Sequence, residues 1–437
     1  MYSLTLTNPI IQPFLLLLRL VGTAFLSAIF MQGCARFETL RSDIADWEQS
    51  SRIAVSLEGD PSIIDGAYAA VWTRGQDGDL EIQDLQVSGP DGRLAFLLRD
   101  KQDYFFGAFQ DRNENSKVDV GEPLWFYGDE KPRPVPHGAR SVQEINFLKI
   151  ERKEAIHLPT LEDLRTSRDG RALFDLTTDQ SVKIIAGEIA DLDDPRFAIE
   201  VGDQGLWEPT RFMRNYGVGV FFLQEYDASK MPLIFVSGAS GTPRNWQWIV
   251  ERLDKTRFQP WVFHYPSGLS LEETSHILDL VLNALYRKHG FSEIGVVAHS
   301  MGGLLARNYI LVAQSRDYEI AGFVSLSTPW NGHYMAKLGV DYAPEAIPSW
   351  KDIEPDSEFI EMILEAPMPV EHLLVYGNAS NRSPFLPKEN DGTVSVESML
   401  DPRAVEAATN VIELPKNHID ILKSHKARKA IELLFSE

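Results

Sequence analysis

Ile294-Gly295-Val296-Val297-Ala298-His299-Ser300-Met301-Gly302-Gly303-Leu304-Leu305-Ala306-Arg307-Asn308-Tyr309-Ile310-Leu311 is the stretch on which the reading of this chain turns. The first four residues form a short apolar run of the kind buried in a parallel sheet, and Leu304 to Leu311 carries the longer apolar pattern of a helix. Between them stands a serine with Ala298 and Gly302 two positions to either side. Small residues there let a strand and a helix pass close together at a sharp turn. A helix that begins directly after Ser300 aims its first backbone N–H groups at any negative charge developing beside the serine.

Outward from this turn, strand and helix patterns alternate from about residue 206 to the end. Leu233–Val236 reads as a strand, Asn245–Leu253 as a helix and Trp261–His264 as a strand. Ser270 with Glu273 forms a capping box that opens a helix ending at Gly290. Gly322–Leu326, Leu373–Tyr376 and Val411–Leu414 read as further strands, and Ile419–Phe435 as a closing helix. This alternation predicts an α/β fold with a doubly wound, mostly parallel sheet. The long segment from about 331 to 370 holds Pro344, Pro348, Pro355, Pro367 and Pro369 and fits no strand pattern.

The chain has 437 residues, enough for two or three domains, and a net charge of −21 that argues against a nucleic-acid partner. Residues 50–150 show short strand-like runs, among them Arg52–Leu57, Ala67–Thr73, Leu80–Val87, Arg93–Leu98 and Tyr104–Phe109, separated by turn signals such as Pro90-Asp91-Gly92. They predict a small all-β sandwich domain ahead of the α/β region. Within it, Asp111, Asn113, Asn115, Lys117 (through its carbonyl), Asp119 and Glu122 have the spacing of a calcium loop, with Ser116 where that motif wants glycine. They are candidate ligands for a structural calcium ion, and the alternative is a polar turn held by Asx hydrogen bonds. Residues 151–205 read as a connector packed on the α/β domain.

Residues 12–31 are largely apolar, and Met31-Gln32-Gly33-Cys34 follows, with Cys34 the single cysteine of the chain. This resembles a bacterial lipoprotein signal, although Arg19 interrupts the apolar run and no Lys or Arg precedes it. The resemblance implies removal of residues 1–33, lipidation of Cys34, a tether over 34–49 and a place in the cell envelope. Ala35 implies the outer rather than the inner membrane. The alternative is an uncleaved N-terminal membrane anchor.

The Ala298–Gly303 turn resembles the nucleophile elbow of α/β-hydrolases, G-x-S-x-G, with Ala298 in place of the first glycine. Ser237-Gly238-Ala239-Ser240-Gly241 is similar to that superfamily's oxyanion loop, with Ser237 where histidine is usual. Leu326-Ser327-Thr328-Pro329-Trp330 resembles lipases and glycosylphosphatidylinositol inositol-deacylase-like hydrolases. Together these imply an α/β-hydrolase domain over 206–437 with a cap at about 331–370. Its nucleophile would be Ser300, its acid Asp391 in Glu389-Asn390-Asp391-Gly392 (Glu389 being the alternative) and its base His418 after the last strand. The N–H groups of Ala239 and Met301 would form the oxyanion hole. His425 is expected on a solvated helix face, and His299 adjoins the serine but cannot turn back to its hydroxyl. The expected activity is cofactor-free hydrolysis of a carboxylic ester, with a lipid or acyl ester as substrate. The alternatives are a thioesterase or acyltransferase on the same residues, or a catalytically inactive binding lipoprotein.

Overall fold

The computed structural model describes residues 35–74, 80–89, 92–99, 103–112, 121–130, 132–136, 147–153, 182–379, 386–387 and 389–436. Among these residues, seven strands make up the first sheet: β1 (Ser50–Glu58), β2 (Tyr68–Arg74), β3 (Leu80–Val87), β4 (Arg93–Arg99), β5 (Phe105–Phe109), β6 (Leu124–Phe126) and β7 (Phe147–Lys153). Their spatial order is β3-β2-β5-β6-β7-β1-β4. Strand β7 joins two halves, since its residues 147–151 pair in parallel with β1 while Arg152 and Lys153 pair with β6. Val55 and Phe96 from one half meet Val71, Phe106 and Trp125 from the other in a single buried cluster. Of the candidate calcium ligands, Asn113, Asn115, Lys117 and Asp119 lie outside the described residues. The carboxylate of buried Glu122 accepts the Arg112 N–H at 2.8 Å.

The second sheet contains β8 (Ile184–Ile189), β9 (Val218–Phe222), β10 (Met231–Val236), β11 (Phe258–His264), β12 (Glu293–His299), β13 (Glu319–Leu326), β14 (His372–Gly377) and β15 (Asn410–Leu414). They lie in the order β15-β14-β13-β12-β10-β11-β9-β8. The six strands from β10 to β15 run parallel, while β8 and β9 run together in the opposite sense, with β9 antiparallel to β11. Central strands β10, β11 and β12 are buried along nearly their whole length, as a sheet covered on both faces requires. The elbow serine follows β12, so it sits at the carboxyl edge of the sheet, where open α/β sheets bind ligands.

Three expectations are corrected. Residues 182–205 are part of the α/β domain rather than a connector, because β8 adds an edge strand to its sheet and Val201 of the Ile199–Trp207 helix is buried in the same core cluster as Val220 and Phe222 of β9. The domain therefore includes residues 182–205 as well as 206–437. Residues 35–48 form a helix, not a tether. Its Leu40 and Ile44 are buried against Ile347 of the cap region, with Leu206, Trp207 and Trp350 packed around them. Asp43 accepts the N–H groups of Thr210 and Arg211, capping the helix Pro209–Asn215. Apolar burial and a capping carboxylate together hold this segment on the α/β body. Third, the closing helix is broken. A short 3-10 turn, Asp420–Lys423, precedes the helix His425–Leu434, because Ser424 takes an extended conformation and caps the second segment through Ala427 N–H.

The Leu271–His289 helix starts as expected with Ser270 accepting the Glu273 N–H and stops at Gly290, which takes φ +67°. Glu273 does not reach back to Ser270. Its carboxylate accepts Trp47 Nε1–H at 3.0 Å and lies 3.6 Å from Arg52, tying this helix to residues 47–52.

The segment from 331 to 370 forms three helices, Tyr334–Tyr342, Pro348–Ile353 and Glu358–Glu365. Side chains tie it to the body. Buried Arg307, on the helix after the elbow, donates to the carbonyls of Ile363 and Ala366 at the end of the third helix. Asp352 accepts Leu271 N–H at 2.6 Å, capping the Leu271–His289 helix from outside. Burial pushes the Asp352 carboxyl up from 3.8 to about 6, against the pull of the Leu271 N–H, with Glu272 and Glu273 adding to the rise. The folded chain thus holds this proton more tightly than the unfolded chain. The contribution of Asp352 to stability is complete below pH 3.8 and is lost as pH rises through about 6. Thermal unfolding at pH 5 and pH 7 should show a larger drop for the native protein than for Asp352→Asn, which keeps an acceptor for Leu271. Equal drops would contradict this assignment.

Candidate active site

The elbow geometry follows from its small residues. Ser300 holds φ 55° and ψ −133°, a region that L residues rarely adopt. Its N–H donates to Leu326 O at 2.8 Å, which pins the turn to the end of β13. A Cβ on Gly302 would run into the Ser237 carbonyl, and one on Gly303 into Thr328 Oγ1. The helix Met301–Ala313 therefore approaches the neighbouring loops more closely than any larger side chain permits. A Cβ on Gly238 would lie 2.7 Å from Ser300 Cβ, so the loop after β10 also needs its glycine to pass the serine.

That loop is braced from below. Tyr265 Oη donates to Ser237 O at 2.6 Å, Trp246 Nε1–H donates to Ser237 Oγ at 3.0 Å, and Ser240 N–H donates to Ser267 Oγ at 2.9 Å. Ser237, standing where the superfamily usually has histidine, anchors the loop through its own hydroxyl, which donates to Thr242 O at 2.9 Å. Ala239 is exposed at the tip beside Gly238, and Met301 is the first residue of the elbow helix, where N–H groups have no partner within the helix.

Ser300, His418 and Asp391 come together from three separate loops, each following a strand of the sheet. Ser300 Oγ and His418 Nε2 are 2.9 Å apart, and His418 Nδ1 lies 2.6 Å from Asp391 Oδ2. Asp391 is completely buried and His418 is 6% exposed. The other Asp391 oxygen, Oδ1, accepts the N–H groups of Thr393 and Val394 at 3.0 and 2.8 Å. Burial pushes the Asp391 carboxyl up, but its bond to His418, the charge of His418 and the two backbone donors outweigh it and hold the group below 3.8. An ionised Asp391 selects the His418 tautomer with hydrogen on Nδ1, leaving Nε2 to accept the serine proton. Glu389, the alternative acid, is exposed. His425 packs against Trp248, with ring centroids 4.8 Å apart.

Two further histidines meet this group. His333, at the start of the cap, has its Nε2 2.9 Å from Thr393 O, so the cap grips the loop that holds Asp391. His299 Nε2 lies 2.8 Å from the His418 carbonyl. Neither contact is evident from residue spacing, because each partner is more than 50 positions away. A cavity of about 390 Å³ opens between the cap and the acid loop, lined by Asn331, His333, Tyr334, Leu386, Val394 and Ser398 among others, but not by Ser300. Among the described residues no cluster of His, Cys, Asp and Glu has the form of a metal site.

Residues 267–409 match the model of a family described as "Alpha/beta hydrolase of unknown function (DUF915)". The mature lipase BlEst2 of Bacillus licheniformis is similar in structure, with 17% identity over 49% of this chain and 97% of its own and a TM-score of 0.40. A protein from Listeria innocua shows 16% identity over 48% of this chain and 94% of its own, with a TM-score of 0.37. The phospholipase PlaB of Legionella pneumophila shows 14% identity over 39% of this chain and 45% of its own, with a TM-score of 0.32. No curated protein matches the sequence. The strand order and the family match make the second domain an α/β-hydrolase fold.

Proposed function

We propose that this α/β-hydrolase-fold protein is a serine hydrolase that cleaves carboxylic esters of lipid or acyl type and is held on a membrane through Cys34. The observation that carries the reading is the hydrogen-bonded line from Asp391 through His418 to a serine held at positive φ. In the first step His418 Nε2 takes the hydroxyl proton as Ser300 Oγ attacks the ester carbonyl. The N–H groups of Met301 and Ala239 stabilise the oxyanion of the tetrahedral intermediate. That intermediate collapses when His418 gives its proton to the departing alcohol, leaving an acyl group on Ser300. A water molecule, deprotonated by His418, then attacks the acyl carbonyl, and the second collapse releases the acid and returns the proton to Ser300. Asp391 orients the imidazole and stabilises its charge throughout.

Turnover of p-nitrophenyl esters of increasing chain length, alongside matched thioesters, tests the reaction class. The proposal expects ester turnover that improves with acyl length. No ester turnover, with efficient thioester cleavage or acyl transfer, would replace it.

The membrane part of the proposal is supported by the apolar run before Cys34. Each buried methylene of a lipid chain contributes about 0.8 kcal/mol, and stable anchoring generally takes more than one chain. Cys34→Ser is therefore expected to stop processing and move the protein out of the lipid-modified membrane pool. A Cys34→Ser protein still processed and retained to the same degree would favour a simple uncleaved anchor.

A further inference from the structure

His299 is buried, 5% exposed, and adjoins the serine without bonding to it. It is the last residue of β12, and its Nε2 lies 2.8 Å from the main-chain oxygen of His418. A carbonyl only accepts, so His299 Nε2 carries the hydrogen and donates it. The two rings are 4.7 Å apart between centroids, inclined at 50°.

His418 is thereby held at four points by three residues. Its N–H donates to Asp391 O at 2.8 Å and its Nδ1 bonds Asp391 Oδ2, so Asp391 holds both backbone and ring from one side. Its carbonyl accepts from His299 and its Nε2 faces Ser300 Oγ, so two consecutive residues hold backbone and ring from the other. We infer that His299 is a positioning residue, whose Nε2–H fixes the backbone of His418 relative to the elbow and so keeps its ring in register with Ser300. The loop carrying His418 joins β15 to a short 3-10 turn and is anchored to the elbow strand through this bond. Without it, a shift of the loop would change the Ser300–His418 distance directly. The donor also needs to stay neutral beside an imidazole that becomes charged during turnover. Burial, with the charge of His418 adding to it, pushes His299 down to about 3, so it carries no charge at neutral pH.

The inference rests on the serine-hydrolase reading, and its test separates the two. His299→Phe keeps the ring volume and removes the donor, whereas His299→Gln places an amide N–H at similar reach. With a short-chain ester, His299→Phe should lower kcat about 10- to 100-fold, the scale of a misplacement of about 1 Å, with KM nearly unchanged. His299→Gln should recover most of that loss. The downfield proton resonance of His418 Nδ1–H should shift or broaden in the Phe variant and persist in the Gln variant. A merely structural role would instead lower the unfolding temperature of both variants without this split. Native kcat in His299→Phe, or a Gln variant as impaired as the Phe variant, would overturn the inference. If Ser300→Ala, assayed in parallel, kept its activity, the failure would lie with the hydrolase reading instead.

Discussion

Ser300→Ala is expected to lose ester hydrolysis by about 10⁴-fold or more, because no attacking oxygen remains on the elbow. The fold should be retained. Among the described residues the Ser300 side chain bonds His418 Nε2 alone, and the turn itself is held by the Ser300 N–H bond to Leu326 O, which alanine keeps. Alanine must still adopt φ 55°, a conformation that already strains the native serine, so little further backbone cost is expected. Circular dichroism and thermal unfolding would separate loss of chemistry from loss of fold. Turnover of a p-nitrophenyl ester at the native rate by Ser300→Ala would remove the serine from the mechanism.

Loss of the base should cost nearly as much. His418→Ala leaves the serine proton without an acceptor and strands a buried carboxylate, since Asp391 is completely buried and spends one oxygen on His418. The expected loss is again about 10⁴-fold, and the Ser300→Ala, His418→Ala double variant should be scarcely worse than either single one, because groups that act as a unit are not additive. His425→Ala should retain most of the activity, since its ring packs on Trp248 rather than on the serine. An inactive His425→Ala beside an active His418→Ala would assign the base to the wrong loop.

The proposed reactive residues are legible in the sequence because their signals are local. A strand, a serine between small residues and a helix occupy one short stretch, and the closeness that the spacing implies is met by Gly302 and Gly238. The order serine, acid, histidine follows from the sheet, since the three loops leave the same edge after β12, β14 and β15 in turn. The features not evident in the sequence depend on distant partners. The helix over 35–48 carries Phe37, Leu40, Ile44 and Trp47 at helical spacing, but the apolar face it needs is supplied by Ile347, Leu206 and Trp207. Strand β8 is a partly exposed edge strand, so its apolar pattern is weak, and its membership shows only in its pairing with β9. Glu273 reads as half of a capping box, yet Trp47 and Arg52 draw its carboxylate outward. His299 adjoins the serine in sequence, but its bond is to the His418 carbonyl, 119 positions away.

Ser300 is proposed to be a nucleophile activated by His418. A fluorophosphonate probe tests it most directly, because it forms a covalent bond only with an activated serine. Labelling of the native protein followed by peptide mass spectrometry should place the adduct on Ser300, with no adduct in Ser300→Ala and greatly slowed labelling in His418→Ala. An unlabelled native protein, or an adduct on another residue, would contradict it.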